Sequence, residues 1–400
     1  MKSITPKATN QVVGTLGIMA THSRSKRHDF PFADGAFYRG LSIQSQALDI
    51  QAFVFSPLDM DWSLEQVKGY SWNIQSQSWQ MNLFPFPELI YDRCFYASRR
   101  VYQQYQHMRR KLSELPGIRF LSYGLPGKWE MYQTLRQVPE FIPYLPVTAK
   151  LSSAQVLLDW LKRKGEAFMK PNGGSQGRGI LKVTSTSNEN EPFHITGRSS
   201  SNESLNQAFP NFTALWRWIR AFIGKRDYLV QDSLSLHTED GVAFDIRSLV
   251  QKNGFGGWQT TGMAVRCGSK DSITANLHGG GQAIAPAPFL KKRYGYQQSQ
   301  QIMKQLTILS KEIPEHLEHY YGRLAELGLD FGIDADGHIW IVEANSKPGR
   351  SVFTHMHNKE AQKQALECPI HYAHYLLQRK GGMPWKSHQI GTVSRLTHHA

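Results

Sequence analysis

The most informative stretch of the sequence is Lys170-Pro171-Asn172-Gly173-Gly174-Ser175-Gln176-Gly177-Arg178-Gly179-Ile180. The lysine follows an apolar run at residues 167–169, and a second apolar run begins at Ile180. This pattern predicts two strands joined by a loop whose glycines let backbone N–H groups approach an anion. With a lysine at its base, such a hairpin would bind nucleotide phosphates if other residues supplied metal ligands and a slot for the base.

Glycine-rich turns are common, and most of them bind no phosphate. Two familiar nucleotide motifs are also absent from this stretch. Ile180 and Leu181 follow Gly179 where a P-loop has a lysine and a hydroxyl residue, and Lys182 replaces the last glycine of a dinucleotide-binding fingerprint. The interpretation of the loop therefore depends on the rest of the chain.

A second hairpin is predicted near the C-terminus, where apolar runs at residues 329–333 and 338–343 flank an Asp-Gly turn at 334–337. Asp-Gly between two strand-like runs is a strong hairpin signal. Pairing of the two strands would bring Asp330 close to Glu343. A salt-bridged surface hairpin would explain the acidic turn, but not a glutamate inside an otherwise apolar strand.

Asn345 lies two residues beyond Glu343 and therefore points from the same face of an extended strand. Two carboxylates and an amide oxygen are hard donors, and such donors suit Mg²⁺ better than zinc. The hairpin therefore predicts a magnesium site formed by Asp330, Glu343 and Asn345.

Two arginines lie on strand-like segments between these hairpins. Residues 244–250 alternate with a period of two, which places Asp245 and Arg247 on one face. A later strand-like run, residues 257–266, ends at Arg266. An Asp–Arg pair on one strand face is compatible with a solvated edge, whereas opposite a triphosphate the arginine would neutralise charge.

In chain order these features are a lysine-bearing strand, a glycine loop, a strand ending in Gln-Asp, an Asp-Ile-Arg strand, Asn-Leu-His-Gly-Gly, and Glu-Ala-Asn followed by Pro-Gly. Over residues 146–356 this order resembles the ATP-grasp superfamily of glutathione synthetase, D-alanine–D-alanine ligase and the ribosomal-protein glutamate ligases. The stretches at 55–62, 87–93 and 343–350 are similar to the YheC/YheD family, described as endospore coat-associated. That second resemblance covers nearly the whole chain.

The resemblance implies an α/β (α+β) fold, namely an ATP-grasp fold with an N-terminal Rossmann-like pre-ATP-grasp domain. It divides the chain into an N-terminal α/β domain at residues 1–120 and an ATP-grasp N-terminal subdomain with the phosphate-binding hairpin at 121–230. An ATP-grasp C-terminal subdomain with the metal site follows at 231–380, and residues 381–400 form a tail.

The resemblance also implies an ATP-binding set. Lys170 matches the lysine that holds the α- and β-phosphates, and Lys128 matches a further lysine on the phosphate side. Gln231 and Asp232 match the hinge, where backbone groups bind adenine and an acidic side chain binds ribose. The glycine loop matches a flap that closes over the phosphates, with the residues Gly173, Gly174, Ser175, Gly177 and Gly179.

The metal ligands implied by the resemblance are again Asp330, Glu343 and Asn345, with Mn²⁺ as an alternative to Mg²⁺. The segment between Asp330 and Glu343 is slightly longer than in the glutamate ligases, which leaves Asp334 as an alternative first ligand. We prefer Asp330 because it lies on the strand, whereas Asp334 lies in the turn.

The catalytic residues implied by the resemblance are Arg247, Arg266 and Asn276, which match groups that stabilise the transferred phosphoryl group and the acyl-phosphate. The ribose-side acid of the superfamily is usually Glu, so Asp232 requires the hinge to run closer to the nucleotide. His278 lies beside glycines, where a histidine is more often structural than catalytic.

In the related ligases a substrate carboxylate attacks the γ-phosphate, and an amine then displaces the acyl-phosphate. The resemblance therefore implies an enzyme, an ATP- and Mg²⁺-dependent carboxylate–amine (or thiol) ligase linked to spore coat formation. Its partners would be ATP, an unidentified carboxylate substrate and an amine acceptor that is an amino acid, peptide or protein. The alternative is a structural coat-associated protein that contacts other coat proteins and keeps an ATP-grasp shell without activity.

Composition adds further limits. The net charge of +14 fits anionic ligands and is compatible with nucleic acid. Basic runs at 24–27 and 109–111 lack interleaved aromatic residues, so a solvated face is favoured over nucleic acid binding. Three widely separated cysteines argue against disulfides and zinc and for the reducing cytoplasm. We expect no secretory signal and no contact with membrane, because no apolar run reaches spanning length.

Four local predictions concern secondary structure. The apolar spacing predicts helices at residues 153–163, at 297–327 with a break near Pro314, and at 360–377. Residues 185–206 are rich in Ser, Asn, Glu and Thr, which predicts a loose surface insertion.

Overall fold

The computed structural model describes residues 12–23, 30–96, 98–174, 177–188, 190–268, 275 and 281–379. These residues form three β-sheets, each with a hydrophobic core shared with helices. The predicted mixture of α and β structure is therefore confirmed. Ser175, Asn276 and the predicted tail at 381–400 lie outside the described residues.

The first sheet has six strands in the order β4-β3-β2-β1-β5-β6. Strand β1 pairs in parallel with β2 and β5, and β5 pairs in parallel with β6, whereas β3 and β4 are antiparallel additions at one edge. The strands are β1 Gly14–Met19, β2 Ile50–Asp61, β3 Gln66–Asn73, β4 Ser78–Pro85, β5 Leu89–Asp92 and β6 Arg119–Phe120.

Helices cover both faces of this sheet. Helix α1 (Gly35–Gln46) packs on one face through Leu41, and α2 (Arg99–Glu114) packs on the other face through Leu112. Since burial on both faces is typical of a doubly wound sheet, the predicted Rossmann-like domain is observed. The antiparallel β3–β4 extension was not predicted.

The second sheet is antiparallel and has the order β11-β10-β9-β8-β12-β7. Its strands are β7 Thr148–Lys150, β8 Glu166–Pro171, β9 Leu181–Ser185, β10 Phe193–Arg198, β11 Ser204–Phe209 and β12 Tyr228–Gln231. Strands β8 and β9 are the predicted hairpin that carries the glycine loop. The helices that accompany this sheet are α3 Lys128–Leu135, a 3₁₀ helix Pro139–Tyr144, α4 Ala154–Lys164 and α5 Phe212–Ile223.

The predicted helix at 153–163 is α4, which begins after Ser153 because the hydroxyl of Ser153 accepts from the Val156 N–H. The prediction of a loose insertion at 185–206 was wrong. Strands β10 and β11 pair over that segment and extend the sheet, with Ile195 fully buried. Polar residues occupy the exposed positions of this hairpin, and they concealed its strand period.

The third sheet is antiparallel, in the order β15-β14-β13-β16-β17. Its strands are β13 Phe244–Lys252, β14 Trp258–Cys267, β15 Gln282–Ile284, β16 Glu326–Ile333 and β17 Ile339–Asn345. Helix α6 (Pro286–Tyr321) packs against it through Leu306, Leu309 and Ile313. The prediction of a break near Pro314 was wrong. The kink in α6 lies at Gly295, whose φ of 75° is not helical. Pro314 remains within the helix, because the fixed φ of proline is compatible with helical geometry.

The last two helices are α7 (Ser351–His355) and α8 (Lys359–Gln378). Helix α8 confirms the helix predicted at 360–377. It packs on the first sheet, because Ile370, Ala373 and Leu377 share one hydrophobic cluster with Leu16 of β1. Helix α8 thereby returns to the N-terminal sheet and joins it to the third sheet, on which Ala361 and Ala365 pack.

Candidate nucleotide and metal site

Lys170, at the end of β8, faces strand β17 of the third sheet. Its side chain is buried, and Nζ donates to the Val342 carbonyl at 3.4 Å. Burial, together with the neighbouring ammonium of Lys128, lowers the pKa of Lys170 to about 8, although Glu343 opposes the decrease. The ammonium of Lys170 is buried with little negative charge around it, so an anion bound beside it would be stabilised.

Lys128, the first residue of α3, connects the glycine loop with the predicted metal strand. Its Nζ lies 2.9 Å from Glu343 Oε1 and donates to the Gly174 carbonyl at 2.7 Å. Lys128 and Lys170 therefore lie side by side at the junction of the second and third sheets.

A narrow cleft lies between the two sheets at these lysines. Its walls are mainly apolar, and its polar groups come from the two lysines, Gln231, Thr148 and the Tyr132 hydroxyl. A planar base would contact the apolar walls while its phosphates pointed towards the lysines. The residues that line the cleft are Lys128, Met131, Tyr132, Leu145, Thr148, Lys170, Leu229, Gln231, Ile341 and Val342.

Asp232, directly after β12, has an incomplete set of hydrogen bonds. Its backbone N–H donates to Val147, and Oδ2 lies 3.3 Å from Lys164 Nζ. Its other carboxylate oxygen, Oδ1, is buried and has no hydrogen-bond partner among the residues that the structure describes. Buried polar atoms are normally satisfied, so a ligand hydroxyl, such as that of a ribose, fits this position.

The predicted metal residues lie together on the β16–β17 hairpin. Asp330 pairs directly with Glu343 across the two strands, and Asn345 pairs with Gly328. Directly paired side chains on one face have Cβ atoms about 5 Å apart, and Asn345 shares the face of Glu343. The two carboxylates and the amide oxygen therefore form a set of hard donors that fits Mg²⁺.

The structure also bears on the choice between Asp330 and Asp334. Asp334 Oδ1 accepts the backbone N–H groups of Asp336 and His338, and Oδ2 accepts from Trp340 Nε1. Both oxygens thus shape the turn, whereas Asp330 pairs directly with Glu343 across the two strands, and this position favours Asp330 as a ligand. Among the residues that the structure describes, no group of three His, Cys, Asp or Glu side chains could hold a metal, so a metal here would rely on Asn345 or on a ligand oxygen as well.

Arg247 and Arg266 lie beside Asp330 on the neighbouring strands. Arg247 binds both oxygens of Asp330, at 2.5 and 3.0 Å, and Arg266 reaches Oδ2 at 3.0 Å. Arg266 also makes a bidentate pair with Asp245. Burial alone would raise the pKa of Asp330, but the two guanidinium groups outweigh it and hold the pKa below its ordinary value. The carboxylate of Asp330 therefore stays ionised.

The glycine loop is fixed at one end. Gly174, Gly177 and Gly179 have φ values of 109°, 66° and 72°, a region that favours glycine. The Tyr228 hydroxyl donates to the Gly179 carbonyl, and a Cβ at Gly179 would lie 2.9 Å from that hydroxyl. At Gly173 a Cβ would meet no atom of the described residues within 4 Å.

Most of the predicted site residues therefore lie together, although they come from widely separated positions in the chain. Those brought to the junction of the two sheets are Lys128, Lys170, Gly174, Gln231, Arg247, Arg266, Asp330, Glu343 and Asn345. Ser175 and Asn276 lie outside the described residues. The apolar walls of the cleft, such as Met131 and Ile341, were not predicted, because an apolar residue that lines a cleft has the same sequence pattern as a core residue.

Comparison with known proteins agrees with this geometry. The model of a family described as YheC/D like ATP-grasp matches residues 117–376. The chain belongs to this family. Endospore coat-associated protein YheC of Bacillus subtilis (strain 168) is 30% identical over 377 residues, which cover 93% of this chain and 99% of YheC. Endospore coat-associated protein YheD of the same organism is 26% identical over 353 residues, which cover 87% of this chain and 76% of YheD.

A solved structure supports the fold assignment of this YheC/D-like protein. D-cycloserine synthetase DcsG superposes with a TM-score of 0.53 and 11% sequence identity, over 91% of this chain and 100% of DcsG. At that identity the similarity concerns the fold alone. Among the described residues, every helix is too short or too polar to cross a membrane.

Proposed function

We propose that this protein binds Mg-ATP and joins a carboxylate to an amine through an acyl-phosphate. The observation that carries this proposal is the position of two lysines and two carboxylates at one junction. Lys128 and Lys170 lie at one side of the cleft, and Asp330 and Glu343 lie opposite on the β16–β17 hairpin. Phosphates between these groups would be neutralised from both sides, which phosphoryl transfer requires.

In this proposal the nucleotide occupies the cleft between the second and third sheets. The backbone at Gln231 would bind adenine, and Asp232 Oδ1 would accept a ribose hydroxyl. The glycine loop, with Gly173, Gly174, Ser175, Gly177 and Gly179, would cover the phosphates. Mg²⁺ held by Asp330, Glu343 and Asn345 would neutralise phosphate charge; Mn²⁺ has the same preference for oxygen ligands.

Arg247 and Arg266 would act on the substrate side of the nucleotide. Asp330 and Asp245 already fix their guanidinium groups, so little reorganisation is needed when negative charge develops on the transferred phosphoryl group. Asn276 is proposed to assist there. The amine or thiol acceptor would then displace the phosphate from the activated carboxylate.

The relatives supply the biological setting of the proposal. YheC and YheD are named endospore coat-associated, and we extend that association to this chain, with synthesis in the cytoplasm and coat proteins as partners. The three sheets support the division into domains at residues 1–120, 121–230 and 231–380. Membrane and nucleic acid are not proposed as partners.

A second candidate function is a coat-associated structural role without ligase activity. One observation favours it: protein cations already neutralise Glu343 and Asp330, through Lys128 and Arg247. These two carboxylates therefore have counter-charges without a bound metal, which is compatible with an inherited shell.

The test is thermal unfolding with and without Mg-ATP, in wild type and in Glu343→Gln. A ligand that binds only the folded state stabilises it by about 2.7 kcal/mol at one hundred times its Kd, which raises the midpoint by several degrees. Glu343→Gln should abolish the magnesium-dependent part of the rise. Glu140→Gln is the matched control, since Glu140 is exposed on the 3₁₀ helix, and it should behave as wild type.

A magnesium-dependent rise would justify a screen of carboxylates and amines for ADP release. If millimolar Mg-ATP leaves the midpoint of wild type unchanged, the ligase proposal is wrong and the structural role takes its place.

A further inference from the structure

The carboxyl ends of β1 and β5 lie side by side, and the topology of an open α/β sheet predicts a ligand-binding crevice beyond them. Strand β2 lies on one side of β1 and β5 on the other, and α1 and α2 cover opposite faces of the sheet. In open α/β sheets, ligands bind outside the strand ends at the point where the strand order reverses. Strand β1 ends at Met19 and β5 ends at Asp92, so the crevice lies beyond these two residues.

The segment that follows the metal hairpin reaches this crevice. Lys347 Nζ lies 2.7 Å from Asp92 Oδ1 and donates to the Cys94 carbonyl at 3.0 Å. Asn345, a proposed Mg²⁺ ligand, is two residues earlier, so the Cα atoms of Asn345 and Lys347 are at most roughly 7 Å apart. A ligand with one end at the metal hairpin can therefore have its other end at Lys347.

Positive charge is in excess around the end of β5. Four cationic side chains share only two carboxylates, and each of the six side chains is at most 24% exposed. The pairs are Arg93 with Glu326 at 2.9 Å, Arg350 with Glu326, Lys347 with Asp92 at 2.7 Å, and Arg109 with Asp92 at 3.5 Å. Charges removed from water without a full set of counter-charges are costly, so this excess favours the binding of an anion.

The two carboxylates have different surroundings. Glu326 is fully buried and also accepts from the Tyr91 hydroxyl and from Gln251 Nε2. The half of the cluster around Glu326 is therefore closed to solvent, and its hydrogen bonds join the first sheet to the third. The half around Asp92 is partly open, because the side chains of Lys347 and Arg109 are 23% and 24% exposed.

Arg109 also has an unmet hydrogen-bonding group. Its terminal nitrogen donates to the Tyr123 carbonyl at 2.6 Å, whereas the buried Nε makes no hydrogen bond within the described part of the chain and has only a long ion pair with Asp92, at 3.5 Å. A guanidinium held this weakly, beside a partly exposed ammonium, is an arrangement that a ligand carboxylate would complete.

We propose that Lys347 and Arg109 bind a second carboxylate of the acid substrate, distinct from the carboxylate that is activated. The inference rests on the ligase function proposed above and narrows its substrate to dicarboxylates, meaning an acidic amino acid or a peptide with an acidic residue. Asp92 holds the two cations in place as a positioning residue. One carboxylate would face the metal hairpin while the other binds at the end of β5.

Aromatic side chains extend the crevice beyond these cations. The ring of Tyr96 lies under Lys347, with Nζ 5.5 Å from the ring centroid, and it packs against Tyr102. Phe95 and Tyr102 are 51% and 47% exposed. Exposed aromatic rings beside the crevice offer contact area for a peptide, so both a free amino acid and a peptide are used as probes.

The experiment compares an acid with its uncharged amide. Binding of L-glutamate and L-glutamine, and of Ala-Glu-Ala and Ala-Gln-Ala, is measured by calorimetry with and without Mg²⁺ and a non-hydrolysable ATP analogue. We expect wild type to prefer the acid of at least one pair by about tenfold or more, since charge-assisted hydrogen bonds are strong. The pair that shows the preference distinguishes a free amino acid from a peptide.

Lys347→Met and Arg109→Gln should each abolish the preference and leave nucleotide binding unchanged. Each variant leaves Asp92 paired with the other cation, so the fold should be retained. Arg110→Gln is the control, because Arg110 is the exposed neighbour on α2, and it should keep the preference.

Equal binding of acid and amide, no binding of any probe, or a preference that survives both substitutions would overturn the proposal. If wild type does not bind the magnesium–nucleotide complex, the ligase function is refuted instead. The measurements without nucleotide keep these two failures distinguishable.

Discussion

The buried ammonium of Lys170 predicts a pH dependence of stability that can be worked out from the structure. Its pKa is lowered from 10.5 to about 8, by burial first and by Lys128 second. The folded protein therefore loses this proton before the unfolded chain does. Between pH 8 and 10.5 the unfolded state holds one more proton, so stability rises with pH in that window and levels off above it. At about 1.36 kcal/mol per pKa unit, the full rise is about 3 kcal/mol.

Nucleotide binding should respond in the opposite direction. Phosphates beside Lys170 favour its charged form, so binding takes up the missing proton once the pH exceeds 8. The affinity of wild type for Mg-ATP should be constant below pH 8 and fall by up to about tenfold per pH unit above it. Lys170→Met should bind Mg-ATP about ten- to one-hundredfold more weakly at pH 7, because a hydrogen bond to a charged group contributes about 1.5–3 kcal/mol.

The assays are urea unfolding from pH 7 to 10.5 and calorimetric titration with Mg-ATP over the same range. Lys170→Met should lack the rise in stability and the loss of affinity, whereas Lys225→Met, which removes an exposed lysine, should match wild type in both. Titration of the other lysines is common to all three proteins and cancels in the comparison. Parallel stability curves for wild type and Lys170→Met, or a wild-type affinity that does not change above pH 8, would refute this reasoning.

Two further predictions concern the carboxylates of the site. Asp330→Asn leaves Arg247 without a carboxylate partner among the described residues and leaves Arg266 with Asp245 alone, so it should destabilise the fold by about 3–5 kcal/mol and abolish magnesium-dependent stabilisation by ATP; a wild-type midpoint in urea would contradict this. Asp232→Ala should lose any preference for ATP over 2′-deoxy-ATP or 3′-deoxy-ATP, because it removes Oδ1, the buried acceptor that has no hydrogen-bond partner among the described residues; calorimetry would contradict this by showing the same preference in both proteins.

Local features of the site were predictable because they lie within single hairpins. The lysine and glycines of the β8–β9 hairpin, and the Asp330–Glu343 pair, are each set by strand period and turn residues over fewer than twenty positions. The β10–β11 hairpin was missed, since polar side chains on its exposed positions resemble a loop. Its buried residue Ile195 is visible as strand-forming only once the neighbouring strand β9 is known.

Long-range features were not predictable from the pattern of a single sequence. The cationic cluster at the end of β5 joins Asp92 with Arg109 and with Lys347, which is 255 positions away in the chain. Helix α8 likewise looks like an ordinary amphipathic helix, and nothing in its spacing indicates that it packs on β1. Such contacts depend on how the three sheets pack against one another, so only the structure reveals them.

The energetics of the site also separate the two candidate functions. Asp330, Arg247, Arg266 and Asp245 form a largely buried ionic cluster on the face of the third sheet. Buried ion pairs contribute little net stability, and well-packed apolar residues of similar volume are often as stable or more so. A purely structural shell would gain nothing from keeping four charged side chains there. The guanidinium groups of this cluster are held in place beside the predicted magnesium ligands, where they would stabilise negative charge that develops on a transferred phosphoryl group. For this reason the ligase function explains the cluster better than the structural role does.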